Sequence, residues 1–93
     1  MNTFKLSVTS PDGKSFSGDA LMLTVRGVEG ELAVMAGHIP FVTSLVPSDL
    51  TIVLEDESEI RANLTGGLLT VGEKEVTATT YGIAVYWKPA DND

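Results

Sequence analysis

Apolar and polar residues alternate with a period of two along most of the chain. Phe4, Leu6 and Val8 share one face of the first segment, and the residues between them are polar. The same period recurs at residues 21–25 and 50–54. A period of two is typical of strands with one buried face. No long window shows the apolar period of an amphipathic helix, so the pattern predicts an all-β chain.

Turn-forming residues divide this pattern into short segments. Residues 10–13 (SPDG) are typical of a chain reversal, because proline fixes φ and glycine accepts a positive φ. Similar breaks fall at residues 47–48, 66–67 and 72–73. The strands expected between the breaks cover residues 4–9, 14–19, 21–25, 31–35, 41–46, 50–54, 59–64, 68–71, 74–80 and 83–87.

About nine or ten short strands, with turns at intervals of about ten residues, predict a small β-sandwich or flattened barrel. Residues 1–87 are expected to form this one domain, and residues 88–93 to form a polar tail. The strand at 50–54 is expected to be buried on both faces. In the strand at 59–64, the residues expected to point inward are Ile60, Ala62 and Leu64.

Composition and charge narrow the possible partners. Thirteen acidic and six basic residues give a net charge of −7, which argues against nucleic acid and against adhesion to an anionic membrane. No apolar run approaches the length of a membrane span, so direct membrane insertion is not expected. The first residues have no apolar core of a secretory signal, and there is no cysteine for a disulfide. These features predict a cytosolic protein.

The familiar catalytic and metal-binding patterns are missing from the sequence. Residues 13–15 (GKS) resemble the end of a P-loop, but Val8 stands where the first glycine is required. His38 is the single histidine, and no cysteine is present to act as a nucleophile. The acidic residues at 55–59 do not have the spacing of an EF-hand, and the sequon at 63–65 is read as coincidence. We therefore expect no catalytic residue, no metal site and no cofactor.

Two glycine-rich stretches are similar to a known family. Residues 29–40 (EGELAVMAGHIP) resemble the glutamate-rich loop and Gly-His-x-Pro turn of epsilon subunits from rotary F-type ATP synthases. Residues 65–71 (TGGLLTV) resemble a strand that, in this family, follows a pair of glycines. Residues 10–18 resemble the family's opening hairpin. The resemblance runs in order over residues 4–80. It departs from the family pattern at three positions, Ala33, Ala36 and Ser48.

The resemblance implies a non-catalytic rotor subunit, which joins the gamma subunit to the c-ring and couples proton translocation to ATP synthesis. It implies a peripheral position on the cytoplasmic face of the inner (plasma) membrane. His38, Pro40 and Thr43 are then expected to face gamma. Glu31 is expected to face the c-ring, with Ser10 close beside it at the same end of the sandwich.

Most epsilon subunits continue into a carboxy-terminal hairpin of two helices, which in some members binds ATP. Since this chain stops after the sandwich, we expect it neither to bind nor to hydrolyse ATP. The alternative function is a diverged β-sandwich that binds a peptide or small ligand outside any ATP synthase, because a fold does not fix a function.

Overall fold

The computed structural model describes residues 2–11, 13, 15–82 and 88–89. In this part of the chain there is no helix, which confirms the expected all-β class. The described residues form nine strands: β1 (Phe4–Thr9), β2 (Ser15–Gly27), β3 (Gly30–Met35), β4 (Phe41–Leu45), β5 (Ser48–Leu54), β6 (Glu59–Leu64), β7 (Gly67–Val71), β8 (Glu75–Thr80) and β9 (Lys88–Pro89). The expected segments 14–19 and 21–25 form one strand, β2. The expected strand at 83–87 lies outside the described residues.

The first layer has the strand order β1-β8-β7-β4. β1 and β8 are parallel, and the other neighbours are antiparallel. At the end of β8, Thr80 is buried and its hydroxyl donates a 3.3 Å hydrogen bond to the carbonyl oxygen of Thr9. The layer therefore joins the first strand of the chain directly to the eighth.

The second layer contains β3, the second half of β2, β5, β6 and β9, in that order. β2 belongs to both layers, because its first half pairs with β1 and its second half pairs with β3. Its last residue, Gly27, also pairs with Leu45 of β4. The two layers are thus closed into a flattened barrel, as expected.

A β-bulge in β2 makes this double membership possible. Ala20 pairs with Leu54 and Met22 pairs with Val53, so Leu21 is one extra residue on its strand. The extra residue reverses which side of the strand faces inward. Ala20 is buried before the bulge, whereas the odd-numbered residues of β2 are buried after it. The sequence pattern placed Leu21 in the inward row, but the structure leaves it half-buried.

The core fills the space between the layers. Ala62 and Leu64 are buried and Ile60 packs against them, so the expected inward face of β6 is confirmed. The expectation for residues 50–54 is wrong in part: Thr51 and Val53 are only half-buried, because no further layer of described residues covers them. The buried apolar residues are Leu6, Val8, Ala20, Leu23, Val25, Val34, Leu45, Leu50, Ile52, Ala62, Leu64, Leu69, Val71, Val76 and Ala78.

Cross-strand register defines two ends of the first layer. One row runs across its four strands through Thr9, Thr79, Leu68 and Ser44. A second row, three residues away along each strand or about 10 Å, runs through Leu6, Val76, Val71 and Phe41. We call the end beyond the first row the Ser10 end and the end beyond the second row the His38 end.

Two residues of the expected polar tail belong to the sheet. Lys88 pairs with Arg61, and Pro89 pairs with Ile60, as the short strand β9. This strand lies at the edge of the second layer, where proline is tolerated because a ladder hydrogen bond is not required on both sides.

Gly67 begins β7 at a point where two strands come unusually close. Its φ is 153°, and a Cβ there would lie 2.8 Å from the Cα of Thr80 and would collide with the carbonyl oxygen of Thr79. Real Cβ contacts are not this short, so only glycine fits. The close approach allows β7 to pair with β8 from its first residue.

We expect Gly67→Ala to lower the free energy of unfolding by more than about 2 kcal/mol, because the new methyl group overlaps fixed backbone. Urea denaturation followed by circular dichroism measures this. Gly13→Ala is the matched control: its φ is 91°, but nothing lies within 4 Å of the added Cβ. Left-handed strain alone costs about 1 kcal/mol. Equal losses in the two variants would contradict the close-approach explanation.

Candidate functional site

The described residues offer no constellation for catalysis by a metal. Among them, no group of three or more His, Cys, Asp or Glu side chains could hold a metal ion. Gly13, in the P-loop-like segment, lies in a turn, where its N–H donates a 3.2 Å hydrogen bond to Ser10, and a strand follows. A P-loop requires a helix there. The candidate site considered below is the set of surface residues that the resemblance implies.

No helix among the described residues is long and apolar enough to cross a membrane.

His38 and Pro40 are exposed at the His38 end, in the connection that leads into β4. The backbone N–H of His38 donates a 3.2 Å hydrogen bond to Met35, in a turn that Gly37 completes with a φ of 85°. The imidazole lies 5.0 Å from the ring of Phe41, measured between centroids, and its Nδ1 is 2.9 Å from the carbonyl oxygen of Ile39. The turn thus holds the histidine ring at the surface.

Thr43 lies on the opposite face of β4 from Val42, because side chains alternate along a strand. Thr43 is half-buried and its hydroxyl lies beside Gly27, where a Cβ would come within 3.2 Å of it. This is the seam at which β4 meets β2. Of the three residues expected to face gamma, His38 and Pro40 are therefore exposed together, and Thr43 is set apart from them.

An apolar strip, Val42 with Leu68, lies on the outer face of the first layer. The two residues are 62% and 44% exposed and are diagonal neighbours on β4 and β7. The residues that lie in cross-strand register with Val42 or with Leu68 are mostly small hydroxyl residues: Ser44, Thr70, Thr77 and Thr79. Ile39, 77% exposed, extends the apolar surface toward His38. The family motif did not point to this strip, but the inward positions of Phe41 and Leu69 imply it.

Glu31 and Ser10 lie toward the Ser10 end, but not side by side as expected. Ser10 follows Thr9 on β1, whereas Glu31 is exposed opposite Arg26, just after the turn that joins β2 to β3. That turn adjoins β4, since the N–H of Val28 donates a 3.1 Å hydrogen bond to Ser44. Three strand spacings, about 14 Å, separate β1 from β4. Ser10 and the turn before Glu31 thus adjoin strands that are not neighbours in the first layer, and a c-ring contact of the two residues stays a prediction.

Residues 55–58, most of them acidic, form the tight turn between β5 and β6. The N–H of Glu57 donates to Leu54 at 2.8 Å, and Glu57 has a φ of 71°. Asp56 accepts hydrogen bonds from the hydroxyl and the N–H of Ser58, at 2.6 and 3.0 Å. These two hydrogen bonds hold the pKa of Asp56 below its ordinary value, and the bond from the Ser58 hydroxyl has the larger effect. Its carboxylate thus serves the turn.

Comparison with known proteins identifies the family. Residues 3–83 match the family described as "ATP synthase, Delta/Epsilon chain, beta-sandwich domain". The chain belongs to this family. The match covers both candidate surfaces and every strand from β1 to β8.

Curated members of the ATP synthase epsilon family are similar over most of this chain. The sodium ion specific epsilon chain of Acetobacterium woodii is 33% identical over 84% of this chain and 59% of its own length. The Wolbachia pipientis epsilon chain is 37% identical over 92% of this chain and 75% of its own length. The epsilon chain of an Exiguobacterium species is 40% identical over 83% of this chain and 57% of its own length. The chain therefore spans about three fifths to three quarters of these relatives.

Chains in two solved ATP synthase structures have a similar fold. A chain in the Euglena gracilis mitochondrial ATP synthase, a structure of OSCP, F1 and c-ring, superposes with a TM-score of 0.78 at 27% identity. The superposition covers 94% of this chain and 53% of that chain. A chain in the Tetrahymena thermophila mitochondrial ATP synthase, a structure of central stalk and c-ring, superposes with a TM-score of 0.71 at 15% identity. This superposition covers 88% of this chain and 66% of that chain. The second likeness concerns the fold alone.

We expect Ser58→Ala to raise the pKa of Asp56 toward its ordinary value, because the larger of its stabilising hydrogen bonds is lost. A carboxylate with a depressed pKa stabilises the fold above that ordinary value, and the contribution disappears as the pH falls through the folded-state pKa. Titration of the side-chain carboxyl carbon by nuclear magnetic resonance measures the shift. Glu55 in the same variant is the control, and an unchanged titration of Asp56 would contradict the assignment.

Proposed function

We propose that this chain is a non-catalytic rotor subunit of an F-type ATP synthase, which joins the gamma subunit to the c-ring and couples ion translocation to ATP synthesis. Membership of the ATP synthase delta/epsilon β-sandwich family carries the proposal. Relatives named as epsilon chains and the Euglena assembly of F1 and c-ring support it. The subunit is peripheral, and in a bacterium it lies on the cytoplasmic face of the inner membrane.

The gamma contact includes His38, Pro40 and the apolar strip Val42 with Leu68. Support comes from their exposure at neighbouring positions, since an apolar strip within a hydroxyl-rich sheet face is typical of a protein contact. Thr43 joins this contact only at its margin, because its side chain is half-buried on the other face of β4.

The c-ring contact includes Ser10 and Glu31. Ser10 follows β1, and the turn before Glu31 adjoins β4, about 14 Å away across the first layer; this spacing supports engagement of more than one polar loop of a ring of repeated subunits. The net charge of −7 is complementary to basic loops and favours orientation of the subunit as it docks.

The two contacts lie toward opposite ends of the same hydrogen-bonded layer. β1, β8, β7 and β4 all span the distance between the His38 end and the Ser10 end, and their ladders join them side by side. A force applied at one end is therefore transmitted along the covalent backbone of each strand, and the hydrogen bonds between strands distribute it across the layer. This arrangement suits a part that transmits torque.

Capture of the gamma subunit by the purified chain tests the proposal. We expect a stable complex with gamma from the same organism and its recruitment to the c-ring through that complex. Absence of gamma binding under conditions where the chain is folded would overturn the proposed function.

We expect Val42→Asp to weaken gamma binding by about tenfold or more, because it buries a charge in an apolar contact. Isothermal titration calorimetry with purified gamma measures the affinity. Ala33→Asp is the matched control, since Ala33 is exposed on the outer face of the second layer, opposite Thr24 and outside the His38 turn. Equal weakening by both variants would place the contact elsewhere.

We expect Glu31→Lys to uncouple ion translocation from ATP synthesis, because it brings like charges together at the ring. An exposed ion pair contributes only about 0.2–1 kcal/mol and is screened by salt, so coupling is a better measure than affinity. Proton pumping and ATP synthesis in membrane vesicles give the coupling ratio. Glu55→Lys, an exposed reversal in the β5–β6 turn, is the control. If both variants stay fully coupled, Glu31 is not a ring contact.

A further inference from the structure

The two ring nitrogens of His38 have different surroundings. Nδ1 lies 2.9 Å from the carbonyl oxygen of Ile39, within hydrogen-bond distance. A carbonyl oxygen can only accept a hydrogen bond, so Nδ1 carries the proton of this bond. The other nitrogen, Nε2, has no hydrogen-bond partner among the described residues, and the residue is exposed. In the neutral ring, Nε2 therefore holds a lone pair and can only accept a hydrogen bond.

The position of this ring is fixed by its backbone and by a neighbouring side chain. The N–H of His38 donates a 3.2 Å hydrogen bond to Met35, which sets the point from which the side chain leaves the turn. The ring of Phe41 lies 5.0 Å from the imidazole between centroids, and the two planes are tilted by 49°. Phe41 itself packs against the core and pairs with Val71 in the first layer. A ring supported in this way loses little conformational freedom when a partner binds.

We propose that Nε2 of His38 accepts a hydrogen bond from a hydroxyl or N–H group of gamma, and that Phe41 is a positioning residue for this contact. The inference rests on the proposed function, in which His38 faces gamma, and it adds the chemistry of the group that His38 meets. A carboxylate of gamma has no proton to donate, so it leaves the lone pair of Nε2 unsatisfied. A donor buried without its acceptor costs more than the hydrogen bond contributes, so this contact also discriminates between partners.

The nitrogen chemical shifts of the imidazole, measured by nuclear magnetic resonance on the isotope-labelled chain, test the tautomer without any partner. We expect a protonated Nδ1 and an unprotonated Nε2 in buffer alkaline enough for the ring to be neutral. The opposite tautomer, with its proton on Nε2, would overturn the inference whatever the affinity for gamma.

Two amide substitutions test the acceptor in calorimetric titrations with purified gamma. His38→Gln can place an amide oxygen near the position of Nε2, whereas the shorter His38→Asn reaches only the position of Nδ1. We expect His38→Asn to weaken binding about tenfold, because a donor of gamma is left without its acceptor. His38→Gln should stay within about threefold of the original affinity. Equal affinities of the two variants, weakened or not, would remove the acceptor role.

A double-mutant cycle separates positioning by Phe41 from its part in the core. We expect Phe41→Leu, which keeps apolar bulk, to weaken gamma binding about threefold in the original chain and to change it little in the His38→Ala background. Equal weakening in the two backgrounds would mean that Phe41 acts only through the fold and is not a positioning residue. Thermal denaturation checks that each variant is folded.

These measurements distinguish failure of this inference from failure of the proposed function. If the unmodified chain binds gamma but shows the opposite tautomer, or if the two amide variants bind alike, the acceptor is wrong and the rotor function stands. If the folded, unmodified chain does not bind gamma, both proposals fail.

Discussion

The bulge at Leu21 allows one strand to run through both layers of the sandwich. A regular strand keeps the same alternate residues on one side, so it can cover only one side of a core. The extra residue shifts the inward position from Ala20 to Leu23, and β2 can then bond to β1 at its start and to β3 and β5 later. The closing pair between Gly27 and β4 depends on this change of side.

The positions of the two proposed contact regions follow from that closure. Because β2 ends against Leu45, the turn that carries Glu29 is brought to the same end of the first layer as Ser10. The connection with His38 must then enter β4 from the other end. The chain belongs to the ATP synthase delta/epsilon β-sandwich family. In the rotor role proposed above, the useful property of the domain is the fixed geometry between its ends.

Alternation along the chain predicted the strands and most inward faces. Burial of one face requires an apolar residue at every second position, and this pattern is visible within each segment. The bulge could not be predicted, since Leu21 continues the apolar row of Leu23 and Val25 and looks regular. The distance between Ser10 and Glu31 depends on which strands are neighbours, and no single segment contains that information. Val42 was predictable in principle, but a family motif identifies residue types more readily than it identifies the face on which each lies.

The parallel pairing of β1 with β8 has a consequence for how the domain is made. Lys5 pairs with Glu75 in this ladder, so β1 cannot complete its pairing until β8, about 70 residues later in the chain, has been synthesised. Long loop closure costs entropy before such pairing returns any stability, and folds of this kind form slowly. During synthesis the first strands therefore leave the ribosome without their final neighbours, and the domain folds as one cooperative unit once β8 has emerged. A ribosome that stops before β8 releases a chain with an open sheet edge, which is a substrate for chaperones and proteases rather than a partly working domain.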